Sequence, residues 1–230
     1  MSGSATERSA PAVSSRNGRL ALILGGGLFV ASAVLNVALT PMSGSDYPPA
    51  GRVDLSGADL AHLAAAVLFG AGVVVFAWGI RGKGSVVARR PLGLTALTLF
   101  AVSIPLVDAI GLLFSVAYPD DPLTEALAGG VYLVSILVMP AAGVTGAMRI
   151  ALVGAVPGGW RWLPVIAMSF GIAVALWGVM AAFSAAEPAV TDSIRAVVGL
   201  LTAWYPVVSP LVLGVAAIWL ASAARRPAAG

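Results

Sequence analysis

Long apolar stretches separated by short polar gaps make up most of this chain, and six of them can be traced. They run about 20–40, 58–80, 92–116, 125–148, 162–183 and 194–223. Each exceeds the ~20 residues an α-helix needs to cross a ~30 Å hydrocarbon core. The pattern predicts an all-α integral membrane protein with six transmembrane helices in one domain, residues 20–224. Residues 1–19 are rich in Ser, Ala and Arg with no apolar period, so a disordered tail is expected there, with a second short tail at 225–230. Ala31-Ser32-Ala33 has the small residues of a leader cleavage site, but the apolar run continues to Leu39, which favours a retained span. The longest link, 41–58 (PMSGSDYPPAGRVDLSGA), is rich in Pro, Gly and Asp and suits a turn-rich cap. The later links are short, so sequential helices should pack as antiparallel neighbours.

The basic residues orient this pattern. Eleven of the thirteen Lys and Arg fall in alternate gaps: Arg8, Arg16 and Arg19; Arg81, Lys83, Arg89 and Arg90; Arg149 and Arg161; Arg225 and Arg226. Only Arg52 and Arg195 fall in the others. Cytoplasmic loops carry such an excess, so both termini are expected in the cytoplasm. The opposite gaps are acidic, with Asp46, Asp54, Asp120, Asp121, Glu125, Glu187 and Asp192. Trp78, Trp160, Trp162 and Trp219 fall at the expected inner boundary, and Tyr47 and Tyr118 at the outer one, as interfacial anchors do. Arg195 begins the last span; pairing with Glu187 or Asp192 is the simpler reading of it, and an anionic headgroup is the other.

Composition narrows the chemistry. The chain is 59% hydrophobic and 10% charged, against about 25% charged in soluble domains. It has no cysteine, which rules out disulfides, thiolate metal sites and a Cys nucleophile. Its single histidine rules out a site built from two histidines of one chain. The basic balance belongs to the inner gaps, where anionic lipid headgroups account for it, so the expected partner is the lipid bilayer and not nucleic acid. No cofactor is evident. Twelve Arg against one Lys, with abundant Ala, Val and Gly, suits a high-GC bacterium. The expected location is therefore a bacterial cytoplasmic membrane, with multiple passes.

Proline marks irregular helices, with Pro105 in the third span, Pro140 in the fourth, and Pro206 and Pro210 in the sixth. Each removes a backbone donor and frees a carbonyl one turn earlier. That group must find a partner or line a cavity, although most such kinks only shape packing. Ala142 and Gly146 have small-xxx-small spacing for close helix contact. No inverted repeat is evident between the two halves, which counts against a repeat-built transporter.

A few polar residues lie within the apolar runs. Asp108 is the deepest acid, roughly 12 Å below the outer boundary at ~1.5 Å per residue. His62 lies ~6 Å deep, with Asp59 nearer the surface and on the same helix face. Asn36 lies near the outer end of the first span, and Tyr132 and Ser135 lie in the outer half of the fourth. Buried ionisable groups are costly to insert, by ~2.5–3.5 kcal/mol, so they mark function by default. The shared depth predicts an outer-side polar pocket walled by spans 1 to 4, with 41–58 over it and a His62–Asp108 pair inside. Asp59 also suits a plain helix N-terminal acid. Asn36 and Tyr132 also suit bridges between helices, and Asp108 an interhelical hydrogen bond. The candidate ligand- or proton-binding residues are Asp108, His62, Asp59, Asn36 and Tyr132.

These features favour binding or transport of a small molecule or lipid. The alternative is a structural or accessory subunit, and homo-oligomers are compatible with either. A metal-assisted hydrolase built on one His and two Asp has less support. Ser56, Ser103 and Ser135 are serines at suitable depth, but no G-x-S-x-G elbow surrounds them.

Overall fold

The computed structural model describes residues 15–39, 57–80, 85–88, 90–117, 122–183 and 188–224. Its long helices are α1 (Arg16–Leu39), α2 (Gly57–Trp78), α3 (Pro91–Ala117), α4 (Pro122–Val153), α5 (Leu163–Phe183) and α6 (Pro188–Ala223). A short 3-10 helix, Gly158–Trp162, leads into α5. Five segments are long and apolar enough to cross a membrane: Arg16–Ala38, Gly57–Trp78, Pro91–Phe114, Gly158–Trp177 and Ala196–Ala223. Within α4, Leu137–Val153 is a shorter apolar stretch. The chain is thus an all-helical membrane protein among its described residues. The expected cap at 41–58 lies almost wholly outside them, as do residues 1–14 of the expected tail.

α1 begins inside the stretch expected to be a tail. The reason is local: the Ser15 hydroxyl accepts the Gly18 N–H at 3.0 Å and so caps the helix. Arg16 and Arg19 therefore belong to the first turn of α1.

Each helix packs against its sequence neighbours, and α6 returns to pack against α1, so the six form a closed ring. The α1–α6 seam is the most extensive contact and the two seams of α5 are the thinnest. Small residues set the close seams. A Cβ on Gly26 would lie 2.8 Å from the Gly214 carbonyl oxygen, and one on Gly214 would lie 2.6 Å from that of Gly26. Between α2 and α3, a Cβ on Gly70 would come within 2.5 Å of the Ala101 carbonyl. Gly146 makes room for the Leu97 side chain of α3. Inside the ring, Phe29 stacks on Phe69 (4.9 Å between centroids) and tilts against Phe76 (5.2 Å), while Phe69 meets Phe100 edge-on (6.2 Å). These rings join α1, α2 and α3 by dispersion and quadrupole contacts.

One end of the ring is filled by its links. After α2 the chain turns back, with the Val86 N–H donating to the Phe76 carbonyl (3.1 Å) and the Ser85 hydroxyl to that of Ala77 (2.5 Å). Val86, Val87, Ala155 and Val156 are all buried there. Trp78, Trp160, Trp162 and Trp219 are exposed near the same end. Trp160 packs on Trp219 (5.0 Å), and the Trp78 indole N–H donates to the Thr98 hydroxyl (3.1 Å).

Candidate functional site: a polar mouth on an apolar cavity

The ring encloses a cavity of about 560 Å³ to which all six helices contribute. Its wall is apolar over most of its length, from Leu22, Val86 and Val156 at the link-filled end up through Phe29, Phe69 and Phe100. Toward the other end the lining becomes polar, with Asn36 from α1, His62 from α2, Asp108 from α3 and Ser135 from α4. Helix direction produces this gathering. Asn36 and Asp108 approach the ends of their helices where His62 begins its own, so antiparallel packing places them at one level.

His62 Nε2 stands 4.0 Å from Asp108 Oδ2, and the two side chains are 60% and 31% exposed. That separation is too long for a direct hydrogen bond. The two groups face one another across a gap. Asn36 donates from Nδ2 to the Ser32 carbonyl one turn back (3.0 Å). Ser32, itself buried, donates to the Ala65 carbonyl (2.8 Å) and ties α1 to α2 beneath the mouth.

The expected residues divide. Asn36, His62 and Asp108 come together, with Ser135 beside them on the lining. Asp59 sits in the first turn of α2 and is not among the lining residues, which agrees with a helix N-terminal role. Tyr132 lies on α4, but its side chain is outside the described residues. Ser103 donates to the Leu99 carbonyl within α3 (2.7 Å) and does not line the cavity; Ser56 is outside the described residues. Among the described residues no three His, Asp or Glu side chains gather as a metal would need.

The walls are wider than spans 1 to 4. Closure of the ring brings in α5, through Ala167, Met168, Gly171 and Ile172, and α6, through Tyr205 and Ser209. Tyr205 donates its hydroxyl to the Ala167 carbonyl (3.3 Å), shares a hydrogen bond with Ser209, and packs over Gly171, where an added Cβ would force the Tyr205 ring to shift. Sequence reasoning missed this pair. Its signal was the spacing of four residues, which puts both on one helix face beside Pro206 and Pro210. Those two prolines and Pro140 line the cavity, whereas Pro105 lies against α2 near Gly70.

Comparison with protein-family models, with curated proteins and with solved structures gave no match.

Proposed function

We propose that this chain is a six-span protein of a bacterial cytoplasmic membrane, with both termini inside, that binds an amphipathic lipid or hydrophobic small molecule within its helix ring. The alternating charge of the gaps supports the topology, since eleven of thirteen basic residues fall on one side. In that orientation the polar mouth faces outward and the link-filled end faces the cytoplasm. The observation that carries the binding role is the cavity itself. It is apolar along its length, polar at one end and of ligand size, within the ~300–1,000 Å³ of small-molecule sites. An apolar chain would lie along Phe29, Phe69 and Phe100, with its head at His62 and Asp108.

Binding is favoured over conduction by the buried Val86, Val87 and Val156, which occupy the far end. The rival reading, a purely structural subunit, does not call for a cavity with a polar mouth.

The test is native mass spectrometry of the purified protein beside two variants. Ile172→Trp fills the cavity from α5, the helix with the thinnest packing. Ile166→Trp adds the same bulk on a 62% exposed position outside the lining. A co-purifying lipid or small molecule should be lost from the first and retained by the second. Equal retention in both would refute the cavity as the binding site. Reporter fusions at each terminus check the topology, and a reporter active outside at either end would overturn it.

A further inference from the structure

The cavity reading leaves the chemistry of the ligand's head open, and the mouth constrains it. The described lining residues include one carboxylate, one imidazole, one carboxamide and a few hydroxyls, and no Lys or Arg. Phosphate and carboxylate heads are normally held by guanidinium or ammonium groups, through charge-assisted hydrogen bonds. Here an anionic head would instead meet the Asp108 carboxylate at close range, where like charges repel. The spacing points the same way. His62 Nε2 and Asp108 Oδ2 are 4.0 Å apart, too far for each other and close enough for one atom to bridge. A hydroxyl suits that position because it donates to the carboxylate while accepting from, or donating to, the imidazole.

Resting on the cavity reading above, we infer that the ligand is a single-chain amphiphile with an uncharged, hydroxyl-bearing head, seated between His62 and Asp108, its chain in the apolar cavity. Asn36 and Ser135 flank the same mouth. Asp108 then has two roles. It binds the neutral head and rejects anionic ones, which is specificity by repulsion as well as attraction.

The test uses three probes with the same acyl chain: a monoacylglycerol, a free fatty acid and a lysophosphatidic acid. Each is titrated against the full-length protein in uncharged detergent, with bound probe counted by native mass spectrometry. The monoacylglycerol should bind about tenfold or more tightly than either anion, since removing one like-charge contact is worth at least that factor. Asp108→Asn keeps the shape of the side chain and removes its charge, so it should bring the fatty acid within a few-fold of the monoacylglycerol. Ile172→Trp should abolish binding of all three. Tighter binding of either anion to the wild-type protein would overturn the inference about the head while leaving the cavity reading intact. Binding of all three probes unaffected by Ile172→Trp would overturn the cavity reading. If Asp108→Asn left the preference unchanged, the assignment of selectivity to Asp108 would fall.

Discussion

Three adjacent glycines in α1 should respond to the same substitution in three different ways. Gly25 faces α2, where an added Cβ would meet the Phe76 ring at 3.0 Å. Gly26 faces α6, where it would meet the Gly214 carbonyl oxygen at 2.8 Å, with Ile218 at 3.0 Å and Ala217 at 3.2 Å close by. Gly27 has nothing within 4 Å. Ordinary carbon–oxygen contacts of the Cα–H···O kind lie at ~3.3–3.6 Å, so Gly26→Ala must push the α1 and α6 backbones apart by roughly half an ångström or more. Backbone cannot swing aside as a side chain can, and overpacking of this kind costs about 1–3 kcal/mol. At Gly27 only the helix propensity term applies, and replacing a mid-helix glycine by alanine gains roughly 0.5–1 kcal/mol. Gly25→Ala should lie between these, because the Phe76 ring can turn. The expected gap between Gly26→Ala and Gly27→Ala is therefore about 1.5–4 kcal/mol, at least ~10-fold in the unfolding equilibrium. Denaturant unfolding in mixed micelles, followed by tryptophan fluorescence, measures it. Equal stability of the Gly26 and Gly27 variants would show that α6 does not close the ring against this face of α1.

Further outcomes follow from the same geometry. Asp108→Leu should stay within ~1 kcal/mol of the wild type in stability, because the facing His62 is 60% exposed and an exposed ion pair contributes little, yet it should lose the ligand. Unfolding of that variant by several kcal/mol would instead mark Asp108 as a structural strut. Ser32→Ala removes a buried hydrogen bond to the Ala65 carbonyl and should destabilise by about 0.5–1.5 kcal/mol in the same unfolding assay. No loss at all would count against the α1–α2 contact beneath the mouth. Ala88, the one described non-glycine residue with positive φ (47°), sits in the link after α2, so Ala88→Gly should raise stability by up to ~1 kcal/mol. A fall in melting temperature would argue against that left-handed turn.

The helices were legible in the sequence because lipid imposes a length and a polarity on anything that crosses it. Their ends were less so. Ser15 looks like any other serine of the tail until its hydroxyl is seen on the Gly18 N–H. That neighbouring helices pack side by side was legible from the short links, but the face each turns inward could not be read. In a soluble protein an apolar stripe names the buried face, but here both the lipid-facing and the inward-facing sides are apolar. Ile172 lines the cavity and Ile166 faces outward, and nothing in the residue type separates them. Gly26 and Gly27 differ in the same silent way.

Polar residues escape this degeneracy, and that explains which part of the candidate site was found. An acid or histidine within an apolar run is costly enough to report the interior, so Asp108 and His62 pointed to the mouth and to each other. Asp59 is not among the lining residues and sits one turn earlier, where helix N-terminal N–H groups and the interface reduce that cost. Tyr205 and Ser209 gave a weaker signal, since a hydroxyl inside a bundle often finds a backbone carbonyl, as Tyr205 does on Ala167. Depth could therefore be read from the sequence at the positions where polarity is expensive, while direction around the ring depended on which glycines let two backbones touch. The mouth of the cavity was within reach of the first kind of reasoning. Its walls on α5 and α6 required the second, because the Gly26–Gly214 contact is what turns a row of helices into an enclosure.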